Sequence, residues 1–302
     1  MVQQPRIVCA VDGPTGSENA FSYGLAIAKS RGVQLDVVCA IPAWKQLRWH
    51  VRQTAASLDA LRRWAAAENV DMAVTVQHGS ATDVILRHAN SPNSRVPELI
   101  VLGTRNRRGL ERLRVPSVAD AVMHQSPSPT LVVRGSSGRD AVVPFHRLLC
   151  AIDFYPASMS ALNEGFQILR HDGGMMRLLH VVNLLTSTVP HLGLDFASAD
   201  YTTELAESAS LLLQTLMPLS PDLYGRVHVQ VTAGLVVDEI ARAAREMHAD
   251  LVVIGVTKRG RLARLLASTT GLALRRLECP VLAVPQTKST LHSHADPVVA
   301  AA

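Results

Sequence analysis

Arg6-Ile-Val-Cys-Ala-Val-Asp12 recurs as Arg147-Leu-Leu-Cys-Ala-Ile-Asp153: a basic residue, an apolar run with Cys and Ala in the same slots, and a closing Asp. Gly79 is followed four residues later by Asp83, and Gly234 four residues later by Asp238. Val101-Leu-Gly-Thr104 returns as Val253-Ile-Gly-Val256, and Ser117 and Thr269 each lie fourteen residues beyond that glycine. Landmarks in the same order, two of them with their internal spacing kept, identify one unit duplicated and fused. The function therefore belongs to the unit or to the pair.

Around these landmarks each half alternates short β-branched runs with helix-period stretches. In the first half, strands are predicted at Ile7–Val11, Val33–Ile41, Val74–His78, Leu99–Gly103 and Thr130–Val133, and helices near Ser17–Ser30, Thr54–Asn69, Thr82–Ala89 and Val118–Gln125. In the second, strands fall at Leu148–Ile152, Arg177–Val182, Val227–Thr232, Leu251–Gly255 and Val281–Val284, with helices near Ala157–Arg170, Tyr201–Met217, Val236–Met247 and Thr270–Leu277. Strand–helix alternation implies βαβ units with right-handed crossovers and a parallel sheet covered on both faces. Leu251-Val-Val-Ile254 lacks period-2 alternation, as a doubly covered strand should. The fold class is α/β: two tandem Rossmann-like domains, 1–135 and 146–285, each a five-stranded parallel sheet flanked by helices. Gly135-Ser-Ser-Gly-Arg-Asp140 is the linker. Leu184–Asp200 reads as a long loop that could cover a site, and 286–302 as a flexible tail.

Composition excludes several classes. Apolar residues at 48% against 18% charged mark a globular chain, and 302 residues suffice for two cores. No apolar run reaches the roughly 18 residues of a spanning helix, and the first strand begins too early for a signal peptide, so a cytoplasmic location without membrane partners is expected. A net charge of +5 reads as a solvated basic surface; nucleic-acid binding is not expected, because the basic loops carry no interleaved aromatics. Cys9, Cys39, Cys150 and Cys279 lack zinc spacing and read as buried thiols. His78 and His180 read as core or edge residues, and His292 and His294 as tail residues without a metal.

In an open parallel sheet, ligands sit beyond the carboxyl ends of the strands, where the strand order reverses. Asp12 and Asp153 follow the first strand of each half, and Gly103 and Gly255 follow the fourth. A basic loop then leads to Ser117 or Thr269 at a helix start, where free N–H groups, the helix dipole and a hydroxyl suit a phosphate. The loops carry Arg105, Arg107, Arg108, Arg112 and Arg114 in the first half, and Lys258, Arg259, Arg261 and Arg264 in the second. The Asp residues could equally cap the turn that follows them.

Both halves resemble universal stress protein domains (an adenine nucleotide alpha hydrolase-like fold) over about residues 6–134 and 146–284. The resemblance rests on the first-strand Asp, Leu178-Leu-His-Val-Val182, the Gly-xxx-Asp lead-in to the third helix, the fourth-strand glycine and Cys279-Pro-Val-Leu-Ala-Val284. It implies ATP, with magnesium, on Gly-x-x-Gly-x9-Gly followed by Ser or Thr. Gly103, Gly255, Ser117 and Thr269 keep the ends of that pattern; Asn106 and Lys258 replace the middle glycine, and Pro116 and Ser268 the third. Asn tolerates left-handed backbone, Pro116 has no N–H to donate, and Ser268-Thr-Thr270 retains three N–H groups and three hydroxyls. Asp153, Gly255, Lys258, Ser268, Thr269 and Thr270 thus form the better nucleotide candidate, and Asp12, Gly103, Asn106 and Ser117 the weaker.

The expected function is a stress-response protein that binds or senses an adenine nucleotide without catalysis. No catalytic residue and no metal site are assigned. A nucleotide-independent interaction scaffold is the alternative, and a slow ATPase the third reading. Thr130–Val133 and Val281–Val284 are expected to meet across a pseudo-twofold axis within the chain, covering two sheet edges. A homodimer of whole chains is left open.

Overall fold

A computed structural model describes residues 5–12, 18–42, 48–91, 96–104, 118–134, 143–183, 199–217, 220–257 and 269–286. In chain order the first half runs β1 (Arg6–Val11), α1 (Glu18–Arg31), β2 (Gln34–Ile41), α2 (Arg48–Ala67), β3 (Met72–His78), α3 (Ala81–Ala89), β4 (Leu99–Thr104), α4 (Val118–Gln125) and β5 (Thr130–Arg134). The second repeats it as β6 (Arg147–Ala151), α5 (Pro156–Asp172), β7 (Met175–Asn183), α6 (Ala199–Thr215), β8 (Val227–Gly234), α7 (Val236–Glu246), β9 (Leu251–Val256), α8 (Thr269–Arg276) and β10 (Val281–Pro285). Every predicted strand and helix is present. Two boundaries need correction. Helix α2 begins at Arg48, ahead of the Leu58, Leu61 and Ala65 stripe that announced it, and α6 begins at Ala199, inside the stretch read as loop. The linker from 135 to 142, the rest of that loop and the tail from 287 lie outside the described residues.

The strands form one ten-stranded sheet in the order β3-β2-β1-β4-β5-β10-β9-β6-β7-β8. All neighbours are parallel except β5 and β10, which meet antiparallel through Val132↔Val281, Leu131↔Leu282 and Thr130↔Ala283. Leu131 and Leu282 are equivalent in the duplication and face each other at the centre of this joint. The pairing is therefore symmetric about them, and each last strand covers the edge the other would expose. Both side chains are buried, at 1% and 2% exposure.

Helices lie on both faces. Those of α1, α2, α5 and α6 share one core that runs unbroken through both halves, with Phe21, Leu58, Leu169 and Leu213 packed over Ile7, Cys9, Leu148 and Cys150. On the other face α3 and α4 cover one core and α7 and α8 another. The alternation along β1, where Ile7 and Cys9 enter the first core and Val8 the second, is the period-2 pleat of a doubly covered strand. Helix α1 lies close on the sheet: a β-carbon on Gly24 would stand 3.3 Å from Cys9 Cβ. Its counterpart Gly165 in α5 would meet Met176 Sδ at 2.9 Å.

Candidate functional site

The strand order reverses between β1 and β4 and again between β6 and β9. At the second reversal the parallel register ends on Ala151↔Ile254, so the chain continues to Ile152 beside Gly255 and to Asp153 just beyond. Helix α5 leaves on one face and α8 on the other, which opens a crevice between the strand ends. At the first reversal the register ends on Ala10↔Leu102, bringing Asp12 and Gly103 to the corresponding place.

Within the second crevice the side chains build a tight turn. Asp153 Oδ1 accepts a hydrogen bond from Tyr155 N at 3.0 Å, the local carboxylate-to-backbone turn open to an Asp in this position. Ser158 Oγ donates to Tyr155 O at 2.9 Å and accepts from Asp153 N at 3.3 Å. Phe154, between them, takes a left-handed φ of 62°. Its ring packs on His180, 4.8 Å between centroids, and His180 Nδ1 lies 2.8 Å from the Ile152 carbonyl. His180 is thus a partly buried strand residue that ties β7 to the end of β6, as the sequence suggested. Helix α5 then starts on Pro156, where a missing N–H costs nothing, with no side-chain cap from Tyr155.

Gly255 has a structural reason that its sequence pattern did not reveal. A β-carbon there would lie 2.5 Å from Ala157 O and from Ser158 N. The first turn of α5 rests directly on the end of β9, and only glycine admits that approach. Across the crevice Thr269 opens α8, and Thr270 is 4% exposed. Lys258 and Ser268, with Arg259, Arg261 and Arg264, lie outside the described residues. In the first half Asp12 and Gly103 are exposed at the strand ends, and Gly103 pairs with Val133 of β5. Asn106, Pro116, Ser117 and the five arginines fall outside the described residues.

Several groups near the crevices were not read from the sequence. His124 of α4, 6% exposed, places Nδ1 3.2 Å from the carbonyl of Thr257, two residues past Gly255 in the other half. Arg134, at the end of β5, donates to the carbonyls of Leu274 and Arg275 at 3.3 and 2.6 Å, on the last turn of α8. Thr232, Glu239, Arg242 and Glu246 form a network along α7, with Thr232 Oγ1 2.8 Å from Glu239 Oε2. The bond from Arg242 holds the Glu239 carboxyl below its ordinary range. The His124 and Arg134 contacts span more than a hundred residues and leave no spacing to read.

No disulfide joins the four cysteines, and three of them are buried. Burial pushes the Cys9 and Cys150 thiols up to about 12 and Cys279 to about 11, which removes thiolate chemistry from them at neutral pH. Among the described residues no group of three or more His, Cys, Asp or Glu could hold a metal ion. No described helix is long and apolar enough to cross a membrane.

The universal stress protein family matches this chain twice, at residues 5–134 and 144–285. A universal stress protein of Mycobacterium tuberculosis is 27% identical over 305 residues, spanning 94% of this chain and 98% of that protein. Among solved structures, a universal stress protein from Archaeoglobus fulgidus superposes with a TM-score of 0.67 at 18% identity, covering 93% of this chain and 98% of its own. A second, from Pseudomonas aeruginosa, gives 0.64 at 16% identity, covering 93% of each chain.

Proposed function

The chain belongs to the universal stress protein family, and from that premise we propose that it binds an adenine nucleotide, ATP with magnesium, in the crevice of its second half and does not turn it over. The observation that carries this reading is the reversal of strand order at β6 and β9, which brings Asp153 and Gly255 to neighbouring strand ends. The N–H groups at the start of α8, with the hydroxyl of Thr269, would receive the phosphates, and Lys258 would add a cation. Asp153 would lie beside the nucleotide while one of its oxygens keeps the Tyr155 turn.

Turnover finds no support among the described residues of the crevice. Asp153 is committed to the turn and His180 to the Ile152 carbonyl, so neither is placed as a base on an attacking water.

A nucleotide-independent scaffold is the second reading, and one observation favours it. Both residues that point to the ligand, Asp153 and Gly255, already have work in holding α5 against β9. Calorimetric titration of nucleotide-free protein with ATP and magnesium separates the two. Saturation near one site per chain, with a melting temperature that rises with ligand, is the expected result. No heat across a millimolar range together with an unmoved melting temperature would leave the scaffold.

A further inference from the structure

We propose that Glu164 is a proton-operated latch on the joint between the two halves, which holds more firmly when this side chain carries a proton than when it is charged. Neither the nucleotide nor its crevice enters into it.

Helices α1 and α5 lie on the same face of the sheet, over the joint of β5 and β10. Between them is a cavity of about 20 Å³, room for a water molecule and for little else. Its walls are Ile27 of α1, Ile168 of α5, and Leu99, Leu131, Leu251 and Leu282 from four strands. Glu164 of α5 enters the same cavity and is half-buried. Among the described residues its carboxyl has no hydrogen bond and no ion pair. The other carboxyl of the cavity, Asp172, is fully engaged. Its Oδ1 lies 2.6 Å from His171 Nδ1, and its Oδ2 accepts from Phe145 N at 2.9 Å.

The charged groups around Glu164 are Arg31 of α1, Glu98 just ahead of β4, and His171 and Asp172 of α5 itself. The strands present only leucines to the cavity. Arg31 attracts the carboxylate and Glu98 repels it, and both belong to the opposite half. A charge taken from water without hydrogen bonds is costly, so ionisation works against the closed joint. Burial accordingly pushes the Glu164 carboxyl up, against the pull of Arg31 and with the push of Glu98. A carboxyl raised in the folded joint binds its proton more tightly there than in the unfolded chain. Its contribution is complete below the unfolded carboxyl pKa and is lost as pH rises through the folded one.

The symmetry-related place carries no such group. Glu164 corresponds to Tyr23, which stacks on Phe145 of the opposite half with 6.1 Å between ring centroids. One side of the joint is thus held by an aromatic contact that is indifferent to pH near neutrality, and the other by a side chain whose charge follows it.

The test uses the full chain and compares Glu164→Gln with its parent from acid to neutral pH, by thermal melts and by amide exchange in residues 130–134 and 281–285. Glu164→Gln is expected to match the parent in acid and to melt about 2–4 °C above it at neutral pH, with slower exchange in both strands. Comparison at each pH cancels the other titrating groups. A gap that does not change with pH overturns the proposal, since a merely structural effect would be constant. A higher melting temperature without slower exchange in those two strands overturns the placement at the joint. In an Arg31→Gln background the gap should widen and run on to higher pH, because the attracting charge is gone; an unchanged gap overturns control across the joint. In a His171→Asn background the gap should persist, and its disappearance would assign the proton to the imidazole and overturn the latch. Should Glu164→Gln not fold, Arg31→Gln alone decides: it is expected to lower the melting temperature more at neutral pH than in acid, and an equal loss at both overturns the proposal.

Discussion

The two halves keep the same apolar residues where they meet and different polar ones around them. A small cavity of about 20 Å³ lies at the joint, lined by the pairs Ile27 and Ile168, Leu99 and Leu251, and Leu131 and Leu282. Each pair consists of equivalent positions with identical side chains. At the rim, Ser30 corresponds to His171 and Arg31 to Asp172. Tyr23, stacked on Phe145 at 6.1 Å, corresponds to Glu164. Burial pushes the Glu164 carboxyl up; the charge of Arg31 pulls it down and that of Glu98 raises it again. Packing density leaves an interior residue few substitutes, whereas a rim side chain can be exchanged for another that water or a neighbour will satisfy. Symmetry thus survives in the floor, and function has room to diverge at the rim and in the loops.

The largest break of this comparison is expected at the foot of the first half. Arg6 there meets Asp36 at 2.5 Å, and His88 Nε2 lies 3.3 Å from the same carboxylate oxygen, with Arg6 and Asp36 both buried. The second half has Arg177 and buried Ala243 in the places of Asp36 and His88, and Arg177 merely donates to Gln230 at 3.0 Å. Asp36→Ala leaves the Arg6 guanidinium buried without its carboxylate and is expected to cost about 3–5 kcal/mol, while Arg177→Ala should stay within about 1 kcal/mol. Burial alone would raise the Asp36 carboxyl, but hydrogen bonds from His88 and Arg6 and the charges of both outweigh it and hold it below its ordinary value. Its contribution is therefore present above the unfolded carboxyl pKa and is lost as pH falls through the folded one. Urea unfolding at neutral and acid pH reads both effects: the gap between Asp36→Ala and the parent should close in acid. Equal losses from Asp36→Ala and Arg177→Ala would show the cluster to be unimportant.

Next comes the joint itself. Leu131→Ala and Leu282→Ala each open the same floor from opposite sides and are expected to cost about 3 kcal/mol apiece. Because the two side chains face each other, the double variant should depart from additivity. Thermal melts of the three proteins test the symmetry, and losses that differ by more than about 1 kcal/mol would show that the halves are held unequally.

A smaller effect separates the two crevice glycines. Gly255→Ala pushes a β-carbon into the backbone of Ala157 and Ser158 and should cost about 1–3 kcal/mol of stability. Gly103 is exposed at its strand end, so Gly103→Ala is expected to cost less than about 1 kcal/mol. Chemical denaturation of both variants decides whether glycine is needed at Gly255 for packing; equal costs would remove that reason.

These residues also show what a sequence can and cannot disclose. The succession of strands and helices along the chain and the meeting of the two last strands were legible, because β-branched runs, helical periodicity and an internal repeat are local signals that occur twice. The start of α2 was missed because Arg48 precedes the apolar stripe and carries no cap signal. At the candidate site, Asp153 and Gly255 were found but not what they touch. The same slot can even change its task. Asp83 N donates to the Ser80 cap in α3, whereas its counterpart Asp238 reaches Arg276 on another helix. His124 with Thr257, and Arg6 with Asp36 and His88, are brought together only by the folded sheet.

The finest comparison is between the two helix starts. Thr269 opens α8 directly, and no proline interrupts the chain just before it, since Ser268 precedes it. Ser117 lies just ahead of α4 and follows Pro116, which contributes no donor. A phosphate at the second start should therefore gain one charge-assisted hydrogen bond from the hydroxyl that the first start uses less, or not at all. Thr269→Ala is expected to weaken ATP by about tenfold, the value of one such bond, and Ser117→Ala by less than about twofold. Thr269→Ser, which keeps the hydroxyl and drops the methyl, should bind like the parent. Calorimetric titration of the three variants measures this directly. Equal losses at Thr269 and Ser117 would mean that both halves bind, and the reverse order would move the nucleotide to the half with the broken motif.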